Sequence, residues 1–176
     1  MENKKTITQN ALYFGAITGL VLIIYTILLY VFDALFSQAL GFINYAILLV
    51  GIIWGTLVFR DKHNDGELSY GGALGTGVLI SLFAFILVGI FSYILYQFID
   101  PDLINKSIIA TEEKMLERGM PADQIEQFTD MQRKNSSPLK NSLLGIPLNT
   151  FFGFIISLIT SIFLKKEKAP FEGENQ

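Results

Sequence analysis

The chain has 176 residues, 51% of them hydrophobic and only 16% charged, with a mean hydropathy of +0.46. A soluble domain carries about 25% charged residues, and a net charge of −3 without a long Lys/Arg cluster excludes the basic footprint that nucleic-acid binding needs. Cysteine is absent and His63 is the single histidine, which removes disulfide frameworks, thiolate metal sites, cysteine nucleophiles and two-histidine metal motifs.

The charge deficit is concentrated. Residues 6–32, 34–59, 68–99 and 141–164 contain no Asp, Glu, Lys or Arg and make up more than half of the chain. A water-soluble globule cannot bury four such segments around their whole circumference. A hydrocarbon core of roughly 30 Å takes about 20 apolar residues of helix, and each stretch reaches that length. The sequence therefore predicts an all-α integral membrane protein: one membrane domain with four transmembrane helices, at about 11–32, 40–59, 73–99 and 143–164. The first apolar run is far longer than the roughly 7–15 residues of a signal-peptide core, so it reads as a retained span.

In chain order, span one follows Lys4 and Lys5 and carries Gly15 and Gly19 one helical turn apart. Span two repeats that spacing with Gly51 and Gly55 and holds an amide, Asn44. The loop Arg60-Asp61-Lys62-His63-Asn64-Asp65-Gly66-Glu67 is dense in ligand-type residues. As a calcium loop it fails at the twelfth position, where Gly72 stands in place of a bidentate Glu. It reads as a polar turn, tightest at Asp65-Gly66. The glycine-rich run from Gly71 to Gly77 lacks the Lys and Ser/Thr of a phosphate loop, and is read as the flexible start of span three. Gly71 and Gly75 continue the small-residue spacing, and Gln97 lies near the far end.

Residues 100–142 are too long for a structureless connection and show a helical period. Leu103, Ile104, Ile108, Met115 and Leu116 form one apolar stripe, and Ile125, Phe128 and Met131 a second. Asp102 is expected to cap the first helix, Gly119 to stop it and Pro121 to open the second. A net-acidic helical hairpin over about 102–134 is predicted, its carboxylates Glu112, Glu113 and Glu117 forming a solvated face. Span four follows, with Gly145, Asn149, Gly153, Ser157 and Ser161 on one line. Pro147 removes a helical N–H beside Asn149, leaving that amide to line a polar pocket or to bond another helix.

Lys and Arg set the expected orientation. Lys4, Lys5, Arg60, Lys62, Lys165, Lys166 and Lys168 gather in short segments on one side, whereas the cations of the hairpin are outnumbered by acids. Both termini, with the tail 165–176, are expected in the cytoplasm and the hairpin outside, in a bacterial inner membrane. Trp54, Tyr13 and Tyr70 anchor the first side, Tyr30, Tyr93 and Tyr96 the second.

The pattern resembles a bacterial family of small four-span inner-membrane proteins catalogued as a domain of unknown function. The resemblance lies in Asn10-Ala11-Leu12-Tyr13-Phe14-Gly15 and in the polar loop leading into a Gly-rich third span. It continues through Glu113-Lys114-Met115 in an acidic hairpin and Ser137-Pro138-Leu139 before a last span that ends in basic residues. It implies the four-span topology and brings no assigned activity or site residues.

No charge falls inside a span, so a proton-relay carboxylate, a paired-acid site or a metal centre is not expected there. No enzyme activity and no cofactor are predicted. Without a hydrophobic force between helices in lipid, small residues one turn apart allow the close approach that holds them together. Gly15, Gly19, Gly51, Gly55, Gly71, Gly75, Gly153 and Ser157 are the expected helix-packing positions; Asn44, Gln97 and Asn149 are the polar intramembrane ones. The expected function is that of a structural or accessory membrane protein engaging membrane partners or further copies of itself through these faces and the hairpin. The alternative is a small oligomeric channel or facilitator for an uncharged or lipidic solute, built around the three amides. Membrane lipids are expected partners; nucleic acid is not.

Overall fold

A computed structural model describes residues 5–166. Lys4, Lys168 and the tail beyond Lys166 lie outside them. The described chain forms six α-helices: α1 (Ile7–Val31), α2 (Gln38–Val58), α3 (Tyr70–Ile94), α4 (Leu103–Glu117), α5 (Ala122–Asn135) and α6 (Pro138–Leu164). Single π-helical turns, Phe59–His63 and Leu95–Ile99, extend α2 and α3. With those turns, α1, α2, α3 and α6 run for 25, 26, 30 and 27 residues, and each contains an 18-residue stretch whose mean hydropathy is 2.3, 2.1, 2.7 and 1.9 respectively. Large apolar side chains such as Leu20, Val50, Ile90, Phe151 and Phe163 are exposed along all four. Lipid is the solvent that tolerates such a surface, and helices satisfy the backbone within it.

The helices begin earlier than their apolar runs. A reciprocal capping box, with the Thr6 hydroxyl accepting from the Gln9 N–H (3.2 Å) and the Gln9 side chain from the Thr6 N–H (3.1 Å), starts α1 at Ile7. Ser69 accepts from the Gly72 N–H at 3.1 Å, so the glycine run expected to be a flexible lead-in is helical from Tyr70. Ser137 caps α6 with Pro138 in its first turn, five residues ahead of the expected start at 143.

α3 is the centre of the bundle, packed along its length against α1 on one side and α6 on the other, with α2 closing on α1 and α3. The α3–α6 seam is reciprocal. A Cβ on Gly77 would lie 2.5 Å from the Ser157 hydroxyl, and one on Gly153 would collide with Ser81. Each serine hydroxyl donates to a carbonyl one turn back in its own helix, Ser81 to Gly77 (2.9 Å) and Ser157 to Gly153 (2.7 Å). At this contact the two buried hydroxyls turn back on their own helices instead of bonding across the seam. Ala11, Phe14, Leu22, Leu48, Ile52, Ile80 and Phe85 form the apolar core.

The chain ends of the bundle are joined differently. At the terminal end, Leu68 and Lys166 exchange both backbone hydrogen bonds (2.7 and 2.8 Å). Arg60 donates to the Leu164 carbonyl (3.1 Å) and Tyr70 to that of Leu158 (3.2 Å), so groups from the α2–α3 region satisfy carbonyls in the last two turns of α6. The turn between is tightest where expected, with Asp65 and Gly66 both at positive φ (55° and 78°). At the other end α4 and α5 form a helical hairpin over Leu103, Ile108 and Ile125, with Gly119 at φ 72° between them. Leu116 and Met131, placed on the apolar stripes by their spacing, are instead exposed. Asp102 precedes α4 without capping it: its backbone is already helical, and its carboxylate accepts from the Asn105 side chain (3.0 Å). Pro121 immediately precedes α5, with extended backbone geometry.

Candidate functional site

The half of the bundle beneath the hairpin contains an open cavity of about 530 Å³, bounded by α1, α2, α3 and α6. It lies where the small-residue contacts that draw the helices together are sparse, because most of them fall in the other half. Gly15 faces Phe83 and Ile80, Gly19 faces Ala84, Gly51 faces Thr18, and Gly55 faces Phe14 and Ile80. Towards the hairpin, Gly89 still meets Ile146 of α6, but α2 has only Gly41 near its start, where a Cβ would meet nothing within 4 Å.

The lining is graded. Leu22, Phe85 and Val88 form the deeper wall; Thr26, Ser92 and Tyr96 follow on the same helices, and Ser37 and Gln38 stand at the start of α2. Two of the three expected intramembrane amides, Asn44 and Asn149, meet on this cavity from α2 and α6. Each donates to its own helix, Asn44 to the Gly41 carbonyl (3.3 Å) and Asn149 to that of Gly145 (2.8 Å). The interhelical bond anticipated as one role for Asn149 is therefore not made by its NH₂ group. Helix α6 continues through Pro147. Gln97 does not join them: it lies in the π-helical turn at the end of α3 and is exposed, whereas its neighbour Tyr96 lines the cavity.

Lys114 of α4 completes the mouth. Its ammonium donates to the Phe36 carbonyl in the α1–α2 turn at 2.7 Å, and none of the residues lining the cavity is an acid. At the start of α4, Lys106 bonds Asp100 at 2.8 Å. That hydrogen bond and its charge hold the Asp100 carboxyl below the usual carboxylate range and raise the Lys106 ammonium. Glu113 and Glu117 are exposed and Glu112 partly so.

Of the expected packing positions, Gly71 and Gly75 have open space where a methyl group would stand, with no neighbour within 4 Å. They lie on the outer side of α3, and Gly77 takes the packed position against Ser157. Three further residues carry contacts that glycine spacing did not mark. Ser81 fills the space at Gly153, Thr18 that at Gly51, and the buried Asn10 donates across to the Gly55 carbonyl at 2.9 Å. Among the described residues no three His, Asp or Glu side chains converge as a metal site.

Fold and lining together define an all-α integral membrane protein with four spanning helices, a helical hairpin and an intramembrane cavity. Within that class the chain belongs to the family described as "Protein of unknown function (DUF4199)", which matches residues 13–166. No curated protein and no solved structure matches it.

Proposed function

We propose that this is a non-enzymatic membrane protein that takes up a lipidic solute into the cavity beneath its hairpin. The observation that carries the reading is the convergence of Asn44, Asn149, Ser92, Tyr96 and Lys114 on one cavity whose deeper wall is apolar. A polar mouth over an apolar interior suits a molecule with a hydrogen-bonding head and a hydrocarbon body. The volume falls in the range of about 300–1,000 Å³ typical of small-ligand sites. Below the cavity, Leu48, Ile52 and Ile80 are fully buried, which favours holding or handing over a solute rather than conducting it through the bundle.

The proposal places the hairpin outside a bacterial inner membrane and both termini in the cytoplasm. Arg60, Lys62, Lys165 and Lys166 at the terminal end support that orientation by the excess of cations on cytoplasmic loops. The test is to purify the chain in mild detergent and identify bound amphiphiles by native mass spectrometry, beside a Gly41→Phe variant. Gly41 lines the cavity and has free space at its Cβ, so the ring enters the cavity without displacing backbone. A co-purifying amphiphile lost in the variant supports uptake; equal occupancy of both proteins counts against it.

A second reading is an accessory role through contacts with a membrane partner or another copy. It is favoured by exposed Leu116 and Met131 on the hairpin and by the unfilled strip at Gly71 and Gly75. A strictly monomeric particle with no partner after mild solubilisation would remove it.

A further inference from the structure

The opposite end of the bundle carries a second pocket of about 450 Å³, between the start of α1 and the end of α2. Lys5, Lys62 and His63 line it together with the rings of Tyr13 and Trp54, and no carboxylate does. We propose that it binds the phosphate headgroup of an anionic phospholipid, independently of the cavity under the hairpin.

Three observations point to that occupant. Among the described residues the cations are uncommitted to acids: the Lys5 ammonium sits 4.7 Å from the centre of the Tyr13 ring, and no described carboxylate pairs with it or with Lys62. Asp61, next to Lys62 in the chain, is already held by Arg60 at 2.7 Å. His63 lines the pocket as well, and its buried Nδ1 has no hydrogen-bond partner, so a turn of the ring would let that nitrogen donate to a phosphate oxygen.

The surroundings select a lipid over a free ion. Phe14 stacks edge-to-face with both Tyr13 and Trp54 at 5.2 Å between ring centres, forming a rigid aromatic wall. Tyr13 and Trp54 are each about half exposed, at 54% and 53%, which suits rings at the membrane–water boundary. Val58 continues the apolar side of the pocket. A headgroup would meet the two lysines and the imidazole while its glycerol backbone and chains lie along the rings. Basic pockets between membrane helices recognise anionic headgroups in this way.

Trp54 is the only tryptophan, so the pocket contains its own reporter. The full chain is reconstituted with increasing fractions of phosphatidylglycerol or phosphatidylcholine carrying bromine on the upper part of the chains, and quenching of Trp54 is followed. Each lysine near an anionic surface contributes about a fivefold preference, so half-quenching is expected at a phosphatidylglycerol fraction at least about fivefold lower. The Lys5→Gln/Lys62→Gln double variant should lose that preference. Arg133→Gln/Lys134→Gln, which removes the same charge from the hairpin, should keep it. Circular dichroism checks that both variants retain the helical fold. A smaller preference, or one that survives in the first variant, overturns the proposal. Equal protection from quenching by soluble glycerol phosphate overturns the lipid as occupant and assigns the site to a free phosphate ester.

Discussion

Lys114 of the hairpin donates to the Phe36 carbonyl of the α1–α2 turn across 2.7 Å, a bond between residues far apart in sequence. It ties a polar element to the membrane bundle at the mouth of the cavity, bringing a charge of the hairpin directly against the spans. Lys114→Met should keep much of the aliphatic packing and lose the bond. Such a partly exposed charge-assisted bond contributes about 1 kcal/mol. Hydrogen exchange is therefore expected to quicken about fivefold over α4, with the buried amides of α3 unchanged.

The reciprocal seam between α3 and α6 makes a sharper demand. A valine at Gly77 must displace Ser157, and overpacking of a tight contact costs about 1–3 kcal/mol. Gly77→Val should lower the thermal midpoint in detergent. Gly75→Ala, two residues earlier with open space at its Cβ, should leave it unchanged or raise it, since glycine weakens a helix interior by about 0.5–1 kcal/mol relative to alanine.

Much of this fold is legible in the sequence because lipid imposes a coarse rule. Long uncharged runs must be helices, and Gly119 and Asp65-Gly66 mark turns by their backbone freedom, so spans, hairpin and loop are all recoverable. What spacing does not reveal is which face of a helix meets a neighbour when every face is apolar. Gly71, Gly75 and Gly77 look alike in the chain, yet only Gly77 points at Ser157. Helix starts escape for a related reason. Thr6, Ser69 and Ser137 cap ahead of the apolar runs, and hydropathy is blind to caps. The cavity itself depends on where four helices diverge, for which Asn44 and Asn149 are signs but Lys114 and Tyr96 are not. Gln97 and its neighbour Tyr96 project in different directions from the same helical turn, and no residue pattern announces which of those directions the cavity takes.

The Asp100–Lys106 pair predicts a pH response of the hairpin. The Asp100 carboxyl is lowered by its bond to Lys106, so its contribution is present above the unfolded carboxylate pKa and is lost as pH falls through the lowered folded value. Lys106 is raised, so its contribution is present below the unfolded lysine pKa and fades as pH climbs through the folded value. Hydrogen exchange at the start of α4, corrected for the intrinsic pH dependence of exchange, should show protection constant across neutral pH and falling at both extremes. In Asp100→Asn both the acid and the alkaline dependence should flatten.

The topology places Asn64 and Glu113 at opposite ends of the bundle. Reporter fusions at these two positions should score on opposite sides of the membrane, with Glu113 outside if the cation bias governs insertion. Two reporters on the same side would contradict an odd number of crossings between them.

The cavity can be probed with thiols, because the native chain has no cysteine. Ser92 and Ser81 sit on the same helix, Ser92 lining the cavity and Ser81 fully buried in the α3–α6 seam. With a small water-soluble thiol reagent in detergent, Ser92→Cys is expected to label readily and Ser81→Cys to resist. Adding Gly41→Phe should protect the cysteine at position 92. Labelling of position 92 that is as slow as that of position 81, or that ignores the Phe at 41, would contradict an open cavity beneath the hairpin.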